Sequence, residues 1–244
     1  MPKKVKPMQR NPREDFERIP TGIPGLDKLI EGGFVKGSTI LVSGSAGTGK
    51  TIFCVQYIME GLKRGETCMF ITLEEKPENI IKDVRRFGWD LEKYINEKKL
   101  FLDYQDPFQI TDVTSPLLDK VKEHKISRVA IDSTAVFEMY YKESAEVRKQ
   151  LFKLINGLED VGATNIITSE LPEKGDTLGK FGVEEFIADG VIVLQYVGLI
   201  GEASFSLLVR KMRRTKHFKS HIPFEITDNG LILFKEKETK LFMK

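Results

Sequence analysis

An α/β fold with a mostly parallel central sheet, flanked by helices and finished by β-hairpins, is predicted by three features of the chain. Short apolar runs suited to buried strands alternate with longer helix-like stretches between residues 39 and 168. A glycine-rich loop joins the first of these runs to the first of these helices. After about residue 189 the helices stop and short strand-like runs follow one another, which is the pattern of antiparallel hairpins at a sheet edge.

In chain order, residues 1–18 carry Lys3, Lys4, Lys6, Arg10 and Arg13 among prolines, with little to bury, and read as a loose basic tail. A single domain is expected over 19–235, followed by a charged tail at 236–244. Strand-like runs rich in Val, Ile and Leu occur at 39–43, 68–73, 100–102, 129–131, 165–168, 190–196 and 204–209. Helix-like stretches lie at 52–63, 77–87, 113–124 and 145–161. A length of 244 residues suits one large domain. No apolar run approaches the roughly 18 residues that span a membrane. The basic N-terminus has no apolar stretch behind it, so no secretory signal is expected. Two cysteines, Cys54 and Cys68, are too few for a disulfide framework and read as small core residues. A cytoplasmic location without membrane contact follows as the expectation.

The glycine-rich loop is Gly44-Ser45-Ala46-Gly47-Thr48-Gly49-Lys50-Thr51, a complete P-loop. Its glycines let the backbone curl until several N–H groups converge on phosphate oxygens, and the helix that follows adds the positive end of its dipole. Lys50 suits the β- and γ-phosphates, and the Thr51 hydroxyl suits magnesium. A nucleoside triphosphate is therefore the expected ligand. Magnesium also needs a carboxylate at a neighbouring strand tip, and Val129-Ala130-Ile131-Asp132 supplies Asp132 there.

Hydrolysis further requires a group that orients and deprotonates water. The strand after the P-loop helix ends in Glu74 and Glu75. Two carboxylates at one strand tip repel each other, which raises the pKa of one and suits it to act as a base. A third strand end, Ile167-Thr168-Ser169-Glu170, offers hydroxyls to the phosphate or the water, or else a turn before Pro172. The densest charge is Arg210-Lys211-Met212-Arg213-Arg214-Thr215-Lys216-His217-Phe218-Lys219. With a strand period of two, Lys211 and Arg213 would continue the row of Phe205, Leu207 and Val209. Three readings of this segment stand open: a cationic clamp on a phosphate, a nucleic-acid patch, or a solvated hairpin. A net charge of only +2 argues against a dominant nucleic-acid surface.

Taken together, these residues resemble the KaiC-like branch of the RecA-type ATPases, in its single-domain, archaeal form. The resemblance runs from about Arg18 to Phe234. It includes the entry segment Arg18-Ile19-Pro20-Thr21-Gly22-Ile23-Pro24-Gly25-Leu26-Asp27-Lys28-Leu29-Ile30-Glu31-Gly32-Gly33, the stretch Phe181-Gly182-Val183-Glu184-Glu185-Phe186-Ile187-Ala188-Asp189, and Lys211–His217 leading into Pro223-Phe224-Glu225-Ile226. The resemblance implies a RecA-like P-loop NTPase fold, with ATP and Mg²⁺ as cofactors and a homohexameric ring with ATP between subunits. It implies catalytic roles for Glu74 and Glu75, a magnesium role for Asp132, and action of Lys211 and Arg213 in trans on the next subunit's γ-phosphate, with His217 beside the nucleotide. The family's clock member carries two such domains and phosphorylates a Ser/Thr pair on the stretch matching residues 180–187. Here that stretch holds neither Ser nor Thr, so no autokinase activity is expected at it. Two further readings remain beside the ATPase: a nucleic-acid-binding motor or recombination accessory, and a slow regulatory ring acting through a protein partner. The base specificity is not legible.

Overall fold

The computed structural model describes residues 16–105, 114–134, 137, 141, 143–171, 178–179, 182, 184–199 and 202–234. Residues 1–15, Val113, three positions of the 180–187 stretch and the C-terminal tail, all singled out above, lie outside the described residues.

Five consecutive apolar runs become six parallel strands once 190–196 is added. They are β3 (Thr39–Gly44), β4 (Cys68–Thr72), β5 (Leu100–Tyr104), β6 (Arg128–Asp132), β7 (Thr164–Glu170) and β8 (Gly190–Leu199). Antiparallel β9 (Glu202–Met212), β10 (Ile222–Thr227) and β11 (Gly230–Leu233) complete the sheet, in the order β11-β10-β9-β8-β3-β7-β6-β4-β5. The predicted α/β architecture with a hairpin edge is thus the observed one. A separate pair, β1 (Arg18–Ile19) and β2 (Phe34–Val35), was not foreseen, and it draws Arg18 out of the expected tail into the fold.

Alternation along the strands divides the apolar side chains between two faces. Ile40 and Val42 of β3 enter one core and Leu41 the other. The first core is covered by α1 (Leu26–Leu29), α2 (Lys50–Lys63) and α3 (Pro77–Val84), continued by a 3₁₀ turn at Arg85–Phe87 and by α4 (Leu91–Asn96). The second is covered by α5 (Thr114–Glu123) and α6 (Ser144–Asp160), with the short α7 (Glu184–Ile187) beside it. Cys54 and Cys68 are both buried free thiols.

One charged side chain lies inside the first layer. Arg128 is fully buried and gives a two-pronged ion pair to Glu66, Nε to Oε2 at 2.7 Å and Nη2 to Oε1 at 2.9 Å. Its Nη1 donates to the carbonyls of Pro20 (2.7 Å) and Tyr57 (3.2 Å), and its guanidinium lies 4.7 Å from the Tyr57 ring centre. Gly61 on α2 makes room for it, since a Cβ there would lie 2.6 Å from Arg128 Cδ.

Candidate active site

The P-loop leaves β3 at Gly44 and enters α2 at Lys50. Gly47 and Gly49 adopt left-handed φ values of 76° and 89°, which side chains rarely tolerate. Gly49 caps α2 and has no side chain to occupy the helix's first N–H groups. Gly44 is confined for a different reason: a Cβ would fall 2.5 Å from Thr48 Oγ1 and 2.6 Å from the Leu194 carbonyl oxygen. Thr48 Oγ1 donates to the Ser45 carbonyl at 2.9 Å. The Lys50 ammonium rests on the carbonyls of Gly44 (2.9 Å) and Ser45 (3.0 Å), over the hollow of the loop.

Beside the loop, Thr51 Oγ1 donates to Asp132 Oδ2 at 2.6 Å, although the two residues are 81 positions apart. The other oxygen, Oδ1, accepts from Thr168 Oγ1 at 2.5 Å. Thr168 therefore spends its hydroxyl on fixing Asp132, whereas the sequence reading aimed it at phosphate or water. Its neighbour Ser169 donates to Glu184 of α7 at 2.9 Å. The order β7-β6-β4 carries Asp132 and the Glu74–Glu75 turn to the same edge, with the Leu73 N–H bonded to the Asp132 carbonyl at 2.8 Å.

In that turn the Thr72 hydroxyl bonds both the carbonyl and the N–H of Glu75. Glu74 Oε1 accepts a hydrogen bond from Ser133. Sequence reasoning missed Ser133, and its signal was the hydroxyl pair Ser133-Thr134 directly after the strand. Partial burial raises the Glu75 carboxyl above its usual range, and the charges of Asp83, Asp132 and Glu74 raise it further. Glu75 also borders a cleft of about 350 Å³ lined by Thr51, Ile52, Asp83, Arg86 and Phe87.

Lys211 and Arg213 do not continue the row of Phe205, Leu207 and Val209. Ile192 pairs with Val209 and Val191 with Lys211, so Arg210 is an extra residue, a β-bulge that turns the following side chains over. Met212 takes up the apolar row in the first core, and Lys211 moves to the opposite face with Val191. There its ammonium donates to the carbonyls of Glu185 (2.9 Å) and Ala188 (2.6 Å) at the end of α7. Arg213 donates to the Phe186 carbonyl at 3.3 Å, and Arg214 pairs with Asp189 at 2.7 Å. His217 Nδ1 lies 2.9 Å from the Phe218 carbonyl oxygen.

Register also sets how far these cations lie from their own P-loop. Gly44 is level with Leu194, whereas Lys211 is level with Val191 and Leu41, three residues back along β3. At about 3.3 Å per residue that is roughly 10 Å toward the other end of the sheet, and Arg213 lies beyond it. The structure thus gathers Lys50, Thr51, Asp132, Glu74 and Glu75 at one end of the sheet and holds Lys211 and Arg213 at the other.

The first set fits a triphosphate with a divalent cation. Among the described residues no group of three or more His, Cys, Asp or Glu could hold a metal alone. A Thr51–Asp132 pair suits a hard cation that takes most of its ligands from phosphates and water.

A family model described as "ATPase: KaiC" matches residues 19–238. The chain belongs to the KaiC ATPase family. Among KaiC relatives, the circadian clock oscillator proteins of Prochlorococcus marinus (strain MED4) and Synechococcus elongatus (strain PCC 7942) are each 37% identical to it. The matches cover 95% and 93% of this chain and 48% and 46% of those proteins. The chain thus spans about half the length of these clock relatives. A crystal structure of a KaiC-like protein from Pyrococcus horikoshii OT3 superposes with a TM-score of 0.80 at 39% identity, covering 90% of this chain and all of the other. The RecA-like fold expected from the resemblance is the fold observed. No helix among the described residues is long and apolar enough to cross a membrane.

Proposed function

We propose that this KaiC-family chain hydrolyses ATP with Mg²⁺ at sites completed by a neighbouring copy, most simply in a homohexameric ring. The observation that carries the reading is the 2.6 Å contact of Thr51 with Asp132, which joins the P-loop to the carboxylate strand beside Lys50. The N–H groups of Gly44, Ser45, Ala46, Gly47, Thr48 and Gly49 cradle the phosphates, and Lys50 turns from its two carbonyls to the β- and γ-oxygens. Thr51 and Asp132 hold Mg²⁺, and Thr168 fixes the carboxylate. Bound Mg²⁺ neutralises charge building on the phosphate oxygens. Glu74, fixed by Ser133, orients the attacking water, and Glu75, whose carboxyl burial and neighbouring charges raise above its usual range, takes its proton.

The cationic half of the site comes from the next subunit. Lys211 and Arg213 lie too far from their own P-loop to serve it, which supports action in trans. Arg213 has a half-exposed side chain and is the reaching group, with His217 bordering the nucleotide. Lys211 braces α7 and is free to turn to the phosphate once a neighbour docks. Engagement of Lys211 and Arg214 within the chain leaves less free cation for a nucleic-acid patch. Relatives named as clock oscillators favour a second reading, slow hydrolysis that gates a ring acting through a protein partner.

The test compares two variants. Lys50→Ala is expected to abolish nucleotide binding in a fluorescent-ATP titration. Arg213→Ala is expected to bind normally yet hydrolyse about 10³-fold more slowly, as loss of an arginine finger does. Unchanged turnover in Arg213→Ala would refute action in trans. Light scattering with and without ATP reads ring assembly, and absence of ATP-dependent assembly with fast turnover would refute the gated ring.

A further inference from the structure

We infer that Arg18, Glu31 and Thr215 form a clasp that positions the Arg213 finger, so that Arg18 is a positioning residue for hydrolysis in the adjacent subunit. This rests on the proposed action of Arg213 in trans.

The segment after β9 makes a turn in which Arg214 adopts a left-handed φ of 58°, a conformation that a residue with a side chain keeps only when its surroundings hold it. The entry segment, almost 200 positions earlier in the chain, supplies that hold. Arg18 is pinned by the β1–β2 pairing, in which it faces Val35. Its Nη1 donates to Thr215 Oγ1 at 2.7 Å, and its Nη2 to the Arg214 carbonyl at 3.0 Å. Thr215 Oγ1 passes the contact on, donating to the Arg213 carbonyl at 3.1 Å.

Glu31, itself left-handed at φ 59°, lies 3.5 Å from the Arg18 guanidinium. It accepts the Lys216 N–H at 3.1 Å, and the Phe218 N–H donates to the Leu29 carbonyl at 3.0 Å. Five consecutive positions, 214–218, thus carry four bonds to the entry segment and its turn. A guanidinium suits this work because its rigid planar fork presents separate nitrogens to a hydroxyl and a carbonyl at once, so both bonds fix one orientation. Neither Arg18 nor Glu31 touches the P-loop or its carboxylates. What the clasp fixes is the backbone from which Arg213 projects, and a misplacement of about 1 Å in such a group costs up to about 100-fold in rate.

The experiment uses mixed rings assembled from co-expressed subunits. Arg18→Ala alone is expected to hydrolyse ATP about tenfold more slowly with unchanged nucleotide affinity, a misplaced finger being partly able to reach. Thr215→Val, nearly isosteric, is expected to shift kcat in the same direction by less. Each is then paired at equal ratio with Glu74→Gln/Glu75→Gln, whose own site is dead but whose finger is intact. In a head-to-tail ring about half of the Arg18→Ala sites then receive an intact finger, and turnover per Arg18→Ala subunit should recover toward half of the parent value. Arg213→Ala paired with the same partner is the reference.

Recovery in both pairings supports the clasp. Recovery with Arg213→Ala but not with Arg18→Ala or Thr215→Val overturns it while leaving action in trans intact, because the defect then lies in the variant's own site or fold. Recovery in none overturns action in trans and the clasp with it. Should Arg18→Ala melt below the assay temperature, Thr215→Val alone decides the outcome.

Discussion

Removing Glu66 should destabilise the fold by leaving Arg128 charged and buried without its partner. The pair makes two charge-assisted hydrogen bonds, at 2.7 and 2.9 Å, each worth about 1.5–3 kcal/mol. Water can enter from the Glu66 side, where the side chain is 24% exposed, while Arg128 keeps its bonds to Pro20 and Tyr57. These offsets bring the expected loss for Glu66→Ala to about 3 kcal/mol, the low end for breaking a buried pair. For a domain of this size that lowers the melting temperature by about 6–12 °C. Glu66→Met with Arg128→Met should regain part of the loss, since two long apolar side chains need no counter-charge, while the Pro20 and Tyr57 carbonyls still lose their donor.

The pair also predicts a pH response. Burial pushes the Glu66 carboxyl up, but hydrogen bonds and charge from Arg128, with help from Ser127, outweigh it and leave the carboxyl below its ordinary value. A depressed carboxylate stabilises the fold above its unfolded pKa, about 4.3, and loses that contribution as pH falls through the folded value. Thermal melts of parent and variant from neutral to acid pH should therefore converge on acidification. A fall of less than about 2 °C at neutral pH, or parallel curves on acidification, would refute the account.

Two further outcomes follow from the site. Gly44→Ala should cost about 1–3 kcal/mol and weaken nucleotide binding, because the new methyl meets a backbone carbonyl at 2.6 Å that cannot swing away; a melt and a nucleotide titration with both values unchanged would contradict this. Asp83→Asn removes one of the charges that raise Glu75, after burial itself, so Glu75 should deprotonate at lower pH and the acid limb of the kcat profile should move to lower pH; a limb that stays in place removes Glu75 from the role of base.

The P-loop and the strand tips were legible because each is a local pattern. The unbroken apolar run Val129-Ala130-Ile131 leaves little choice but a buried strand, and Asp132 at its end is carried to the edge where the P-loop lies. The long-range ties were not legible. Nothing within the sequence around Thr168 says that its hydroxyl meets Asp132 rather than solvent, and Gln56 gives no local sign that it bridges Gly22 and Leu231. The bulge at Arg210 was missed because a period of two was carried through it, yet the apolar series Leu207, Val209, Met212 slips by one residue at that place and marks the change of face. Arg18 was placed in a tail because a two-residue strand has no periodicity to detect.

Placement of the phosphate loop and Arg213 at opposite ends of one sheet has a consequence for any assembly these chains form. With Arg213 acting in trans as proposed, each copy has a giving end and a receiving end, and where contacts between copies run head to tail the array must either close on itself or grow without limit. Such a circuit has a sense of direction. In the proposed ring, a subunit with a defective finger would silence the site it serves and leave its own untouched, so a fault would be felt by one neighbour and not the other. Counting active sites as defective subunits are added would show damage that falls one step along the circuit from its source.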